Sequence, residues 1–195
     1  AADSPSLSLL TGGDGNWFTQ ANVFKYGGSA FQSGAIGANQ TSDVQTTVTG
    51  PALVSFYWKV SSESGYDPLR FYIDDVEQDM ISGEMDWQQK TYSIPAGAHT
   101  FKWSYTKDGS VSSGSDCGWI DKLEILALLN LTLNTTGNGS GLVIKSTTGI
   151  DCGDNCYSYP SGTPLTLTAI PQSGSIFTGW SGDCQGLTEP ICPIT

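Results

Sequence analysis

Residues 53 to 60 read LVSFYWKV, and their apolar and polar side chains alternate without a break. Val54, Phe56, Trp58 and Val60 share one side, while Ser55, Tyr57 and Lys59 share the other. Side chains two apart lie on one face only in an extended chain, so this period predicts a half-buried strand. LRFYID repeats the pattern with Leu69, Phe71 and Ile73 inward, HTFKWSYT with Phe101, Trp103 and Tyr105, and SDVQTTV with Val44, Thr46 and Val48. The turn-forming clusters TGP, SSESGYDP and IPAGA separate these segments at the spacing of a sandwich, and no stretch carries an extended helical period. The expectation is an all-β, antiparallel chain whose first 126 residues form two packed sheets.

Composition narrows the partners. A formal net charge of -11 with only eight Lys and Arg argues against nucleic acid and anionic membrane surfaces, because phosphate binding needs clustered positive charge. The longest apolar run, LEILALLNLTL at 123 to 133, is broken by polar residues and falls far short of the roughly 20 residues of a membrane-spanning helix, so no membrane insertion is expected. The opening AADSPS lacks the charged start and apolar core of a signal peptide, and reads as a mature end or the edge of an excised segment.

Cysteine usage changes abruptly along the chain. One Cys precedes residue 150 and four follow it, within DCGDNC and GDCQGLTEPIC. Close pairs in a small Gly-rich segment read as disulfides of an oxidising compartment, pairing Cys152 with Cys156 and Cys184 with Cys192. The rival reading, a zinc site, is opposed by spacings that are not two-residue knuckles and by the distance of any His. Cys117 is left over as a buried thiol. GLVIKS and PLTLTAI alternate again, so residues 127 to 195 form a second, small β domain with almost no linker before it. The chain stops at CPIT, where one more strand would complete a small sheet, and the expectation is a fragment of a larger parent polypeptide.

Two family resemblances follow from longer motifs. FYWKVSSE, DPLRFYID, AGAHTFKWSYTKD and GWID occur in that order, and residues 1 to 126 resemble the MAM and cleaved-adhesin group of jelly-roll domains, accessory modules of secreted bacterial proteins. The segment GIDCGDNCYSYPSGTPLTLTAIPQSGSIFTGWSGDCQG is similar to the divergent B-repeat of bacterial surface proteins, a family that ends with one more strand after its last Cys. Together they imply a secreted or surface-displayed, non-catalytic protein, and they leave the ligand open because such folds host many functions.

The adhesin-group likeness also implies a structural calcium, which takes six to eight oxygen ligands. KDGSVSSGSDCGWID, residues 107 to 121, supplies Asp108, Asp116 and Asp121, and SSESGYDP adds Glu63 and Asp67 if the two loops share one end of the sandwich. The other reading is a solvated turn in which Asp108 and Asp116 accept backbone N–H bonds. Asp121, between Trp119 and Leu123, is the residue hardest to explain without a partner, since a buried charge must be paired or bound to a cation.

EMDWQQ begins like the E-x-D-x-x-E signature of jelly-roll glucanases, but Gln89 stands where the second Glu belongs, and an amide cannot relay the proton that a retaining glycosidase needs. The motif reads instead as a strand end with Asp86 in a turn and Trp87 in the core. His99, the only histidine, has no nucleophile-elbow Ser to serve. For binding there remain aromatics beside polar neighbours, which can hold a sugar ring: Tyr66 in its loop, and Tyr57 and Tyr72 on the polar sides of their strands. Trp180 reads as a core anchor of the second domain. The chain thus reads as an extracellular binding or adhesion module for a glycan or a surface protein. A structural spacer is the alternative, and a glycoside hydrolase survives only through EMDWQQ.

Overall fold

The structure, a computed structural model, describes residues 7–194; the opening AADSPS lies outside the described residues. The chain divides into two compact units, Ala1–Leu126 and Ala127–Thr195. The first carries β1 (Leu10–Gly13), β2 (Phe18–Gln20), β3 (Ala30–Gln32), β4 (Thr41–Ser61), β5 (Leu69–Ile73), β6 (Val76–Ile81), β7 (Glu84–Thr106) and most of β8 (Cys117–Thr132). The second continues from the end of β8 through β9 (Gly141–Lys145), β10 (Ile150–Gly153), β11 (Cys156–Pro160), β12 (Leu165–Pro171) and β13 (Ile191–Ile194). A 3₁₀ turn lies at Gly182–Cys184. Among the described residues no helix is long and apolar enough to cross a membrane.

The first unit is organised by one long antiparallel pair, β4 with β7, whose partners run from Thr41↔Thr106 to Ser61↔Glu84. On β4 the buried apolar side chains keep one parity throughout: Val44, Val48, Ala52, Val54, Phe56, Trp58 and Val60. On β7 the parity changes, from Tyr92 and Ile94 to Phe101, Trp103 and Tyr105. Gly50 pairs Gly97 while Ala52 pairs Ile94, so two β7 residues oppose the single residue Pro51. Such a bulge bends the ladder and re-aims the side chains beyond it. A side chain at Gly50 would overlap the Pro95 carbonyl oxygen, which is why the bend carries glycine there.

The bend folds the pair into two layers. Phe56, on the later half of β4, meets Phe71 of β5 at 4.8 Å and Trp103 of β7 at 5.0 Å between ring centroids. Yet Phe71 and Trp103 are paired neighbours in the sheet built on the earlier half of β4. Contact across the core between residues of the two halves is what a β-sandwich requires. One layer orders β1–β4–β7–β5–β6; β8 takes the edge of β4 that β1 leaves open, and β3 pairs β8. The inward residues expected on all four segments are buried, apart from Ile73, which packs half-buried against the core.

In the second unit β13–β12–β9 form a three-stranded sheet, and the β10–β11 hairpin pairs with residues 128–132 of β8. Both disulfides form as expected, Cys152–Cys156 and Cys184–Cys192, with Cα atoms 5.1 and 6.0 Å apart. The second lies inside a small core with Tyr159, Leu165 and Leu167. Trp180 packs half-buried at its margin against Phe177, with its Nε1 donating to the Glu189 carbonyl at 3.2 Å, so the buried disulfide, not the indole, occupies the centre. Cys117 is a free thiol, 5% exposed, and burial, aided by Asp116 and Glu84, pushes it up to about 12.

Candidate functional site

The β4–β5 loop and the β7–β8 loop meet. Asp67 Oδ1 accepts the Asp108 amide at 2.9 Å, and Ser61 Oγ accepts the Ser115 amide at 2.7 Å while donating to Glu84 Oε1 at 2.7 Å. Gly114, at φ +69°, sits so close to Ser61 and Glu84 that any side chain would overlap them. Residues 108 to 116 are therefore fastened at both ends. Within the first loop the Asp67 and Tyr66 amides donate to the Glu63 carbonyl, forming a turn that aims Glu63 and Asp67 the same way.

Three of the five predicted acidic residues converge. Glu63, Asp67 and Asp108 each offer one carboxylate oxygen, all within 4.8 Å of one another. Asp67 is 0% exposed, and its Oδ2 has no hydrogen-bond partner; Glu63 Oε2 is likewise buried and unpartnered. Burial, together with the charges of Asp108 and Asp67, pushes the Glu63 carboxyl above the usual range.

Asp116 lies apart from that convergence. Its carboxylate is ion-paired with the buried Lys107 ammonium, which also donates to Ser112 Oγ at 2.7 Å and lies 3.9 Å from Asp67 Oδ2. Burial alone would raise the Asp116 carboxyl, but Lys107, Ser112 and the Tyr105 hydroxyl outweigh it and hold it low. Lys107 was not among the expected site residues, although the inward series Phe101, Trp103, Tyr105 continued by two residues points to it.

Asp121 is elsewhere, and its partner is backbone rather than a cation. It is 1% exposed; its Oδ2 accepts the Lys25 and Tyr26 amides at 2.7 and 2.9 Å, and its Oδ1 accepts its neighbour Lys122's amide at 2.7 Å. This carboxylate holds down the 25–26 segment and so positions the Tyr26 ring. That ring lies edge-to-face with Tyr57, centroids 5.1 Å apart, and the Tyr57 hydroxyl donates to Gln89 Oε1 at 3.1 Å. Lys122 Nζ stands 4.7 Å from the Tyr26 ring and Lys25 Nζ 5.9 Å from Tyr57. Two tyrosines with amide and ammonium groups around them make an aromatic face able to stack on an apolar ring face and hydrogen-bond its hydroxyls.

The other two expected tyrosines do not join it. Phe56 and Phe71 face each other across the core, so Tyr57 and Tyr72, one residue on, emerge from opposite layers. Tyr72 also carries the Lys102 ammonium 4.8 Å above its ring. Tyr66, 62% exposed, belongs to the acidic loop.

Both carboxyls of EMDWQQ have a partner. Asp86 lies within β7 rather than in a turn and pairs with Lys59 at 3.2 Å, Glu84 is bonded to Ser61, and Trp87 is half-buried rather than in the core. His99 Nδ1 lies 2.6 Å from Asp74 Oδ2, and Asp74 also accepts the Thr100 amide, a structural arrangement at the surface.

Several known proteins are similar to parts of this chain. The secreted serine protease VesC of Vibrio cholerae matches at 15% identity over 57% of this chain and 23% of its own, TM-score 0.48, so the chain spans about a quarter of that protein. TmCBM61, solved in complex with β-1,4-galactotriose, matches at 13% identity over 60% of this chain and 86% of its own, TM-score 0.40. The CBM22-1 xylan-binding domain from Paenibacillus barcinonensis Xyn10C matches at 15% identity over 60% and 83%, TM-score 0.38. No curated protein matches the chain. The matched solved structures do not single out the MAM and cleaved-adhesin group for residues 1 to 126. Residues 129–192 match the family described as the divergent InlB B-repeat domain, and the second unit is to that extent B-repeat-like.

Proposed function

We propose that this chain is a non-catalytic, extracellular binding module that recognises a glycan on the Tyr26–Tyr57 face. The observation that carries the reading is the ring pair itself, Tyr26 exposed and Tyr57 half-buried beside it. Two aromatic residues from segments far apart in sequence are held together at the surface by a buried carboxylate beneath one of them. A surface pair with no binding role would gain little from that support, whereas a preorganised ring pair reduces the ordering cost of ligand capture. Two disulfides fit an oxidising, extracellular compartment. The carboxyls of EMDWQQ are each committed to a neighbour, and Asp67 of the acidic group is fully buried, beyond the reach of a substrate.

The test is a glycan array followed by affinity electrophoresis on the polysaccharides retained. Tyr26→Ala and Tyr57→Ala should each weaken retention roughly tenfold, the equivalent of about 1.4 kcal/mol, while Tyr72→Ala on the opposite layer should not. Retention that survives both substitutions would sink the proposal, and retention on no glycan at all would leave the spacer reading in its place.

A further inference from the structure

We infer that the meeting point of the β4–β5 and β7–β8 loops is a binding site for one hard divalent cation, calcium, with Glu63, Asp67 and Asp108 as its carboxylate ligands. An acidic cluster alone would not carry this, since exposed carboxylates often gather without a metal. The independent observation is Asp67. Its side chain is 0% exposed, one oxygen is engaged by the Asp108 amide, and the other points into the cluster without a hydrogen bond. Glu63 contributes a second buried oxygen with no partner. Buried carboxylate oxygens are ordinarily satisfied, and two orphans in one place ask for a ligand.

Lys107 is the obvious rival for that role. Its ammonium is committed to Asp116 and Ser112 and stays 3.9 Å from Asp67 Oδ2, beyond hydrogen-bond length. Asp67, Asp108 and Asp116 all act on Glu63 here against the one ammonium of Lys107, so carboxyl groups outnumber the cation four to one. A water molecule could satisfy the orphaned oxygens but would leave the charge; a divalent cation answers both.

Oxygens bound to a common calcium at 2.3–2.6 Å lie within about 5 Å of each other, the separation the three carboxylates already have. The cation would add to the bonds that already join the two loops, and would hold Tyr66, between two of its ligands in sequence, in a fixed position. Its effect is on the fold of the first unit, and it is readable with no glycan present.

The experiment is thermal unfolding of the full chain after chelation, then with calcium or magnesium added back. A ligand that binds only the folded state raises Tm, by roughly 5–10 °C at a hundredfold excess over its Kd for a chain of this length. Calcium should produce that saturable rise. Glu63→Gln should abolish it while leaving the chelated protein as stable as wild type or more so, since the variant loses a repelling charge and keeps its shape. Asp67→Asn should also abolish it; because this substitution disturbs the bond to Asp108, Glu63→Gln decides the matter if Asp67→Asn fails to fold. Terbium luminescence sensitised by nearby tyrosines should appear in wild type and fall at least tenfold in Glu63→Gln. No calcium shift in wild type, or a shift that persists in Glu63→Gln, overturns the site. An equal shift from magnesium at the same concentration overturns the assignment to calcium.

Discussion

Removing the carboxylate of Asp121 should damage stability and binding together. Three backbone amides, those of Lys25, Tyr26 and Lys122, donate to its two oxygens at 2.7–2.9 Å. Hydrogen bonds to a charged partner contribute about 1.5–3 kcal/mol each, and a buried donor left unpaired costs about 1–3 kcal/mol. In Asp121→Ala all three are lost, but the Lys25 and Tyr26 amides belong to a surface segment that can lift away and hydrate. The expected loss is about 3–4 kcal/mol, less than the sum of three bonds. In Asp121→Asn the amide oxygen keeps its bonds to Lys25 and Tyr26 only by turning its NH₂ toward the Lys122 amide, donor against donor, so about 2–3 kcal/mol should go. Urea unfolding followed by tryptophan fluorescence measures this well, because five of the six tryptophans lie before residue 127. Glycan retention should fall with Tyr26 released, even where the variant is folded. A loss below about 1 kcal/mol in Asp121→Ala would refute the reasoning, by showing that the amides find water without cost.

Two further outcomes are expected. Phe56→Ala should cost about 3–5 kcal/mol in the same assay, because the ring bridges the two layers through Phe71 and Trp103 and its removal opens a cavity that neither can fill. Cys117 should resist thiol reagents at pH 8 in the native chain and react once per chain in denaturant. Its folded value, about 12, stands above the ordinary thiol value near 8.5, so its contribution to stability is complete below about pH 8.5 and is lost as pH rises toward 12. Relative to Cys117→Ala, wild type should therefore weaken above about pH 9, by at most about 1.4 kcal/mol per pH unit; a constant difference from pH 7 to 10.5 would contradict this.

The strands were legible because period-two alternation is a local signal: Val54, Phe56, Trp58 and Val60 declare their face without reference to anything distant, and all are fully buried. The cysteine pairs were legible for the same reason, being close in sequence. What alternation cannot carry is the change of face at Pro95–Gly97, because it depends on which β4 residue each one opposes. The acidic residues were legible as a set but not in their division. Asp108, Asp116 and Asp121 look alike in KDGSVSSGSDCGWID, yet one faces two other carboxylates, one an ammonium, and one the amides of a segment about 95 residues away. Charge chemistry names the candidates, but tertiary contacts decide which carboxylate has a partner. Tyr57 could be singled out by its place on the polar side of a strand, whereas its companion Tyr26 could not, since nothing near residue 26 signals that Asp121 holds it.

The β4–β7 pair also constrains how the chain reaches its fold. The Ser61↔Glu84 end joins residues much closer in sequence than the Thr41↔Thr106 end. Closing a short loop costs less entropy than closing a long one, so pairing should start beside Ser61 and Glu84 and zip toward the bend at Gly50 and Gly97. Only past the bend can Phe101 and Trp103 arrive over Phe56, and until then the aromatic core has one wall. Assembly dominated by such distant pairings is slow, in the millisecond-to-second range typical of sandwiches. During that interval the half-zipped pair exposes Phe56, Trp58 and an open strand edge, which makes the bend the step at which a nascent chain is most exposed to aggregation.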